Sequence, residues 1–186
     1  MCDLDLTLAK VEHGNRTLII SIDSDPYDPR EGDNLGRMYC WHRGYILGDE
    51  HDLSVEEFEE QFDERKSLIL PLYLYDHSGL RMNTSGFHCP WDSGQVGYIA
   101  ATKEDIRKWF GVKRITKKLL ATAESILESE VEIYDHYLSG SVYFMTLEED
   151  GELVESIGGF FGGDFAGNGM YDFIPEELQP LLEEVI

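Results

Sequence analysis

One stretch of this 186-residue chain is long and regular enough to be a long helix, and turn formers cut most of the rest into short pieces. Over residues 116–138, Leu119, Ala123, Ile126, Leu127, Tyr134, Tyr137 and Leu138 recur at a largely helical spacing, which Gly140 ends. Ser54, with Glu57 three residues on, predicts a capping box for a helix from residue 55 to about 65, its thin apolar stripe being Val55, Phe58 and Phe62. Thr102 and Asp105 start a third, short helix that Gly111 closes. The remaining apolar runs read as strands. Leu4, Leu6 and Leu8 alternate with polar residues and return through His13-Gly14-Asn15 to residues 18–22, an opening hairpin. Residues 141–147 and 152–157 flank Glu149-Asp150-Gly151 as a second hairpin. Residues 68–75 are β-prone but contain Pro71, which predicts an edge or bulged strand, and strand character resumes over 96–101. Pro175 suits the first turn of a last short helix. There is no βαβ alternation, internal repeat or linker, so the expectation is a single α+β domain over residues 1–186: an antiparallel sheet built from hairpins, with two or three packed helices.

Charge is spread unevenly over this chain. It has 15 basic and 37 acidic side chains, a net −22. Lys103, Arg107, Lys108, Lys113, Arg114, Lys117 and Lys118 fall within sixteen positions; with Glu104 and Asp105 that stretch is +5, which leaves −27 elsewhere. At 42 % apolar and 12 % aromatic the chain is not a disordered acidic tail, so the acid decorates a folded body. Such a surplus keeps a protein soluble and steers cationic partners toward it, and it is silent on chemistry. It can also imitate a phosphate backbone and occupy a nucleic-acid-binding groove on another protein. The densest acid is Glu56, Glu57, Glu59, Glu60, Asp63 and Glu64, on the back of the second helix. The basic patch Lys113, Arg114, Lys117 and Lys118 follows Trp109 and Phe110, a composition that can grip phosphates and stack on bases. A −27 body repels a polyanion, so the patch is expected to meet an acidic surface instead, the molecule's own or a second copy's.

The most unusual stretch gathers Asp76, His77, His88, Cys89 and Asp92 into seventeen residues. Imidazole, thiolate and carboxylate are all zinc ligands, so His77, His88, Cys89 and Asp92 are candidate metal ligands; Cys89 with a nearby histidine is a candidate nucleophile and base. The spacing fits no usual zinc pattern, and adjacent His88 and Cys89 point apart on an extended backbone. The structural alternative, which the sequence favours, is a glycine-rich loop with Trp91 anchored in the core and Pro90 fixing a turn. Tyr39-Cys40-Trp41-His42 reads in the same way as a strand that buries Cys40 and its aromatics. Glycines 158, 159, 162 and 163 lack the Lys-Ser/Thr of a phosphate loop and predict irregular backbone. Cys2, Cys40 and Cys89 are an odd number without framework spacing, which predicts free thiols. No signal-peptide pattern or membrane-length apolar run is present, so the expected location is the cytoplasm, with no membrane partner.

Two stretches carry a resemblance: Asp28-Pro29-Arg30-Glu31-Gly32-Asp33-Asn34-Leu35-Gly36 running into Cys40-Trp41-His42-Arg43, and Tyr75-Asp76-His77-Ser78-Gly79 running into residues 89–97. The chain resembles small proteins encoded by bacteriophages and other mobile elements, which carry no assigned mechanism. The resemblance implies no catalytic residue and no cofactor. It implies a context in which small acidic proteins bind host machinery, including nucleic-acid-binding defence systems. The expectation is therefore a non-enzymatic binding protein in the host cytoplasm. Its acidic helix would occupy the basic nucleic-acid-binding groove of a host protein, with no direct contact to nucleic acid. The alternatives are a metal- or thiol-dependent enzyme at His77, His88, Cys89 and Asp92, and a self-assembling structural protein in which the basic patch of one copy meets the acid of another.

Overall fold

The computed structural model describes residues 6–63 and 65–185. Its strands are β1 (Thr7–His13), β2 (Arg16–Ile22), β3 (Arg37–Cys40), β4 (Ser67–Asp76), β5 (Leu80–Asn83), β6 (Ser93–Thr102), β7 (Val142–Glu149) and β8 (Glu152–Phe161). Its α-helices are α1 (Val55–Gln61), α2 (Lys103–Phe110), α3 (Lys117–Leu138) and α4 (Gln179–Glu183). The class is α+β and every strand pairing is antiparallel, as the hairpin pattern predicts. The strands are divided between two sheets, ordered β1-β2-β7-β8 and β3-β6-β4-β5, which belong to two compact units of the domain.

The first unit comprises the chain up to Tyr27 and from Gly140 onward. Its two hairpins join along β2 and β7. Asp150 and Gly151 both take positive φ in the β7–β8 turn, the conformation that suits a two-residue hairpin. One sheet face, with Ala9, Val11, Leu18, Ile20, Met145, Leu147 and Phe160, is covered by Phe165, Met170, Ile174, Leu178 and Leu182. The opening strand differs from expectation. Leu4 lies outside the described residues, Leu6 and Leu8 are exposed, and the buried residues are Ala9 and Val11. The register breaks between Thr7 and Ala9, and from there Ala9 and Val11 lie opposite the buried Ile20 and Leu18. β8 runs through the glycines to Phe161, accommodated by a bulge. The last helix starts at Gln179, with Pro180 rather than Pro175 in its first turn.

The second unit, Asp28–Ser139, is inserted in the chain between β2 and β7. Successive residues of its strands serve opposite faces of the sheet. Met38, Leu72, Ile99 and Ala101 pack with Ile106 of α2 and with Ala123, Leu127 and Val131 of α3. Their neighbours Tyr39, Ile69, Tyr98 and Ala100 pack instead with Phe58 and Phe62 at α1. The sheet thus has α2 and α3 on one face and α1 on the other. Both predicted capping boxes form, at Ser54–Glu57 and Thr102–Asp105, and Gly111 closes α2 with φ of 65°. Pro71 sits in β4 where β6 is its neighbour; β5 pairs only with residues 73–76, and a bulge follows at Leu72/Tyr73.

A buried ionic group organises the start of this unit. Arg30 donates to Asp49 (2.9 Å), Glu130 (3.3 Å) and the Gly36 carbonyl (2.6 Å). Glu130 accepts the amides of Leu35 (2.6 Å) and Gly36 (3.1 Å), and Asp49 accepts that of Met38 (2.6 Å). Burial holds the Glu130 carboxyl above its ordinary value, against the lowering pull of the Leu35 amide and Arg30. Gly36 is packed so closely that a side-chain carbon there would overlap Leu127 and Ile99. Five residues further along α3, Asp135 takes a two-pronged bond from Arg81 and the amide of Met82 (2.7 Å).

Candidate functional site

The acidic helix projects from the sheet on its aromatic side. Phe58 and Phe62 hold it down, while Glu56, Glu57, Glu59 and Glu60 are exposed, as is Asp63 beyond its end. Glu64 lies outside the described residues. Two of these carboxylates bond nearby backbone. Glu57 closes the capping box on the Ser54 amide (2.8 Å), and Asp63 accepts the Arg65 amide (2.8 Å). Glu56 sits in the first turn, where the helix dipole favours an anion. Glu59 and Glu60 have no such role, and among the described residues none of these carboxylates is in an ion pair.

The basic patch lies on the other side of the sheet, at the α2–α3 junction. Lys113, Arg114, Lys117 and Lys118 are all exposed. Lys117 and Lys118 occupy the first turn of α3, where the dipole disfavours cations and no acidic residue offsets them. Among the described residues no carboxylate lies within 4.0 Å of any of the four. The expected pairing of this patch with the molecule's own acidic helix is therefore absent among them. The sheet separates the helix that bears the acid from the helices that bear the base.

The His/Cys stretch forms an open loop rather than a buried one. Trp91, expected in the core, is 92 % exposed. Asp92 accepts from the Cys89 thiol (3.3 Å) and lies 3.9 Å from His77 Nδ1, while His88 is exposed. The expected four-ligand set does not assemble: among the described residues no group of three or more His, Cys, Asp or Glu is placed to hold a metal ion. The thiol meets a carboxylate where thiol catalysis needs an imidazole base. Cys40 is free, and burial pushes its thiol up to about 12, so it stays protonated at neutral pH.

The stretches around His42 and Asp76 do meet, through residues other than their cysteines. His42, Leu74, Asp76, Trp91, Asp92 and residues 93–96 line an open cleft of about 400 Å³. The Tyr45 hydroxyl donates to Asp76 (3.3 Å), and the Tyr45 ring stacks on His42 at 5.1 Å. The Asp76 amide donates to the Asp92 carbonyl (2.8 Å), which fixes the two carboxylate-bearing segments side by side. Ile46, 99 % exposed, stands beyond Tyr45 on a second open cavity of about 550 Å³ lined by parts of residues 40–53. The exposed indole and the Tyr45 contribution were not legible in the sequence, where Trp91 reads as a core anchor.

No family model, curated protein or solved structure matches this chain. No described helix is long and apolar enough to cross a membrane.

Proposed function

We propose that the chain is a non-enzymatic acidic binding protein of phage or mobile-element origin, acting in the host cytoplasm. Its α1 face occupies the basic nucleic-acid-binding groove of a host protein, of which a defence protein is the sharpest case. The observation that carries this reading is the row of exposed carboxylates, none of them in an ion pair among the described residues, on a helix anchored by two buried phenylalanines. Glu56, Glu57, Glu59 and Glu60 place four charges along about 6 Å of helix axis. B-DNA carries one per roughly 1.7 Å, so a groove built for phosphates meets a similar linear charge density here. The fold does not need Glu59 or Glu60 for its own hydrogen bonds, and like charges this close destabilise a helix slightly. Their retention makes sense when a cationic surface covers them.

The test is capture of a host protein by the tagged chain after nuclease treatment, followed by competition with duplex DNA. The expected partner binds DNA itself, loses that DNA to the chain, and is held about tenfold or more weakly when salt rises from roughly 50 to 200 mM. Replacing Glu56, Glu59 and Glu60 together with lysine spares the capping box and should abolish capture. Capture indifferent to salt and to this triple change would overturn the reading.

A further inference from the structure

We infer that the cleft beside Trp91 is a receptor for an arginine side chain of the basic partner. This rests on the proposed reading in one respect, that the partner is a basic protein, and adds the group by which it is recognised. The cleft has about 400 Å³, room for one or two side chains rather than a folded segment. Two carboxylates, Asp76 and Asp92, line it, and no Lys or Arg does. An indole that is 92 % exposed forms part of its wall, although burial of so large an apolar ring favours a fold. A third feature is the backbone. β6 pairs with β4 through residues 93–95, but its pairing with β3 stops at Gly97, with one further bond from the Trp41 amide to the Val96 carbonyl. The β3 side of Ser93, Gly94 and Gln95 therefore has no strand partner among the described residues.

These three features suit a guanidinium better than any other common cation. Its flat face stacks on indole, its fork of N–H donors matches carboxylates, and it is only weakly hydrated. Donors left over can bond the open strand edge. A lysine ammonium offers a point charge without the planar face, and a neutral side chain leaves two carboxylates uncompensated. The Tyr45 hydroxyl donates to Asp76 and the Cys89 thiol to Asp92, and one such bond leaves each carboxylate with further acceptor capacity.

The experiment follows the Trp91 indole N–H by NMR while acetyl-Gly-Arg-Gly-amide is added to the full chain at physiological salt. Parallel titrations use the lysine and citrulline counterparts of this tripeptide. Saturable movement is expected with arginine, weaker movement with lysine and none with citrulline, which has the same shape without the charge. Trp91→Ala identifies the signal. Asp76→Asn with Asp92→Asn should weaken the arginine response about tenfold. Glu124→Gln with Glu128→Gln, an equal charge change on the exposed side of α3, should leave it unchanged. Equal responses to arginine and citrulline, or equal losses in the two double variants, would overturn the receptor. Because α1 is intact in every variant, salt-sensitive capture undiminished by the Asp76/Asp92 change, together with no arginine-selective tripeptide response in the unaltered chain, overturns the cleft alone.

Discussion

Glu130 and Asp135 lie five residues apart on α3, and Glu59 and Glu60 lie side by side on α1. All four are carboxylates of one unit, yet their surroundings are opposite. Glu130 and Asp135 are buried, and each accepts at least one backbone amide and an arginine. Glu59 and Glu60 are exposed and have no ion pair among the described residues. Among the described residues both buried carboxylates serve amides that need an acceptor. Some exposed carboxylates, such as Glu57 and Asp105, cap helices, but Glu59 and Glu60 have no such role. Glu130 and Asp135 report on how the chain folds, and Glu59 and Glu60 on what it meets.

The largest effect is expected at Glu130. Glu130→Ala removes the acceptor of two amides and leaves Arg30 buried with one carboxylate fewer, so a loss of about 3–5 kcal/mol is expected in urea unfolding. A loss under about 1 kcal/mol would mean that Asp49 alone satisfies Arg30. Asp135→Ala comes next, at about 1–3 kcal/mol, because it orphans the Met82 amide while Arg81, half in solvent, can turn to water.

A pH series separates the two kinds of carboxylate further. The folded Glu130 carboxyl titrates above its ordinary 4.5, so the native state holds this proton more tightly than the unfolded chain does. The stability linked to it is fully present below 4.5 and is lost as pH rises through the folded value. Wild type should therefore gain stability relative to Glu130→Gln as pH falls from neutrality toward 4.5; parallel curves would show the carboxyl to be unshifted. The smallest effect belongs to α1. Glu59→Gln with Glu60→Gln should change stability by no more than about 0.5 kcal/mol, with partner binding weakened. A larger loss of stability would make these carboxylates structural after all.

The parts of the fold that were legible in the sequence are those fixed within a few residues. Ser54 with Glu57 and Thr102 with Asp105 cap helices through bonds that span three positions, and the Asp150-Gly151 turn needs only its own backbone. Legibility failed where a distant partner decides. The Arg30 stretch reads as a family marker, but its meaning depends on Glu130, a hundred positions away. Leu6 and Leu8 alternate correctly for a strand, yet it is Ala9 and Val11 that lie opposite the buried Ile20 and Leu18 of β2. The short β5 hides among Gly, Ser and His residues because it is held by pairing to β4 rather than by its own propensity. At the candidate site the acidic helix was legible because its charge is local. The cleft was not, since it joins His42 to Asp76 and Asp92 across strand ends.

The Arg30–Glu130 pair also bears on the order of assembly. β2 and β7 are hydrogen-bonded neighbours, yet all of Asp28–Ser139 separates them along the chain. Joining them while that segment is unstructured closes a very long loop, a cost that falls before any long-range contact rewards it. Arg30 at the start of the insert and Glu130 near its end draw those ends together once the insert has folded. The second unit is therefore expected to acquire protection from hydrogen exchange first, with the β2–β7 amides following. Glu130→Ala should then delay the first unit although it contains neither residue.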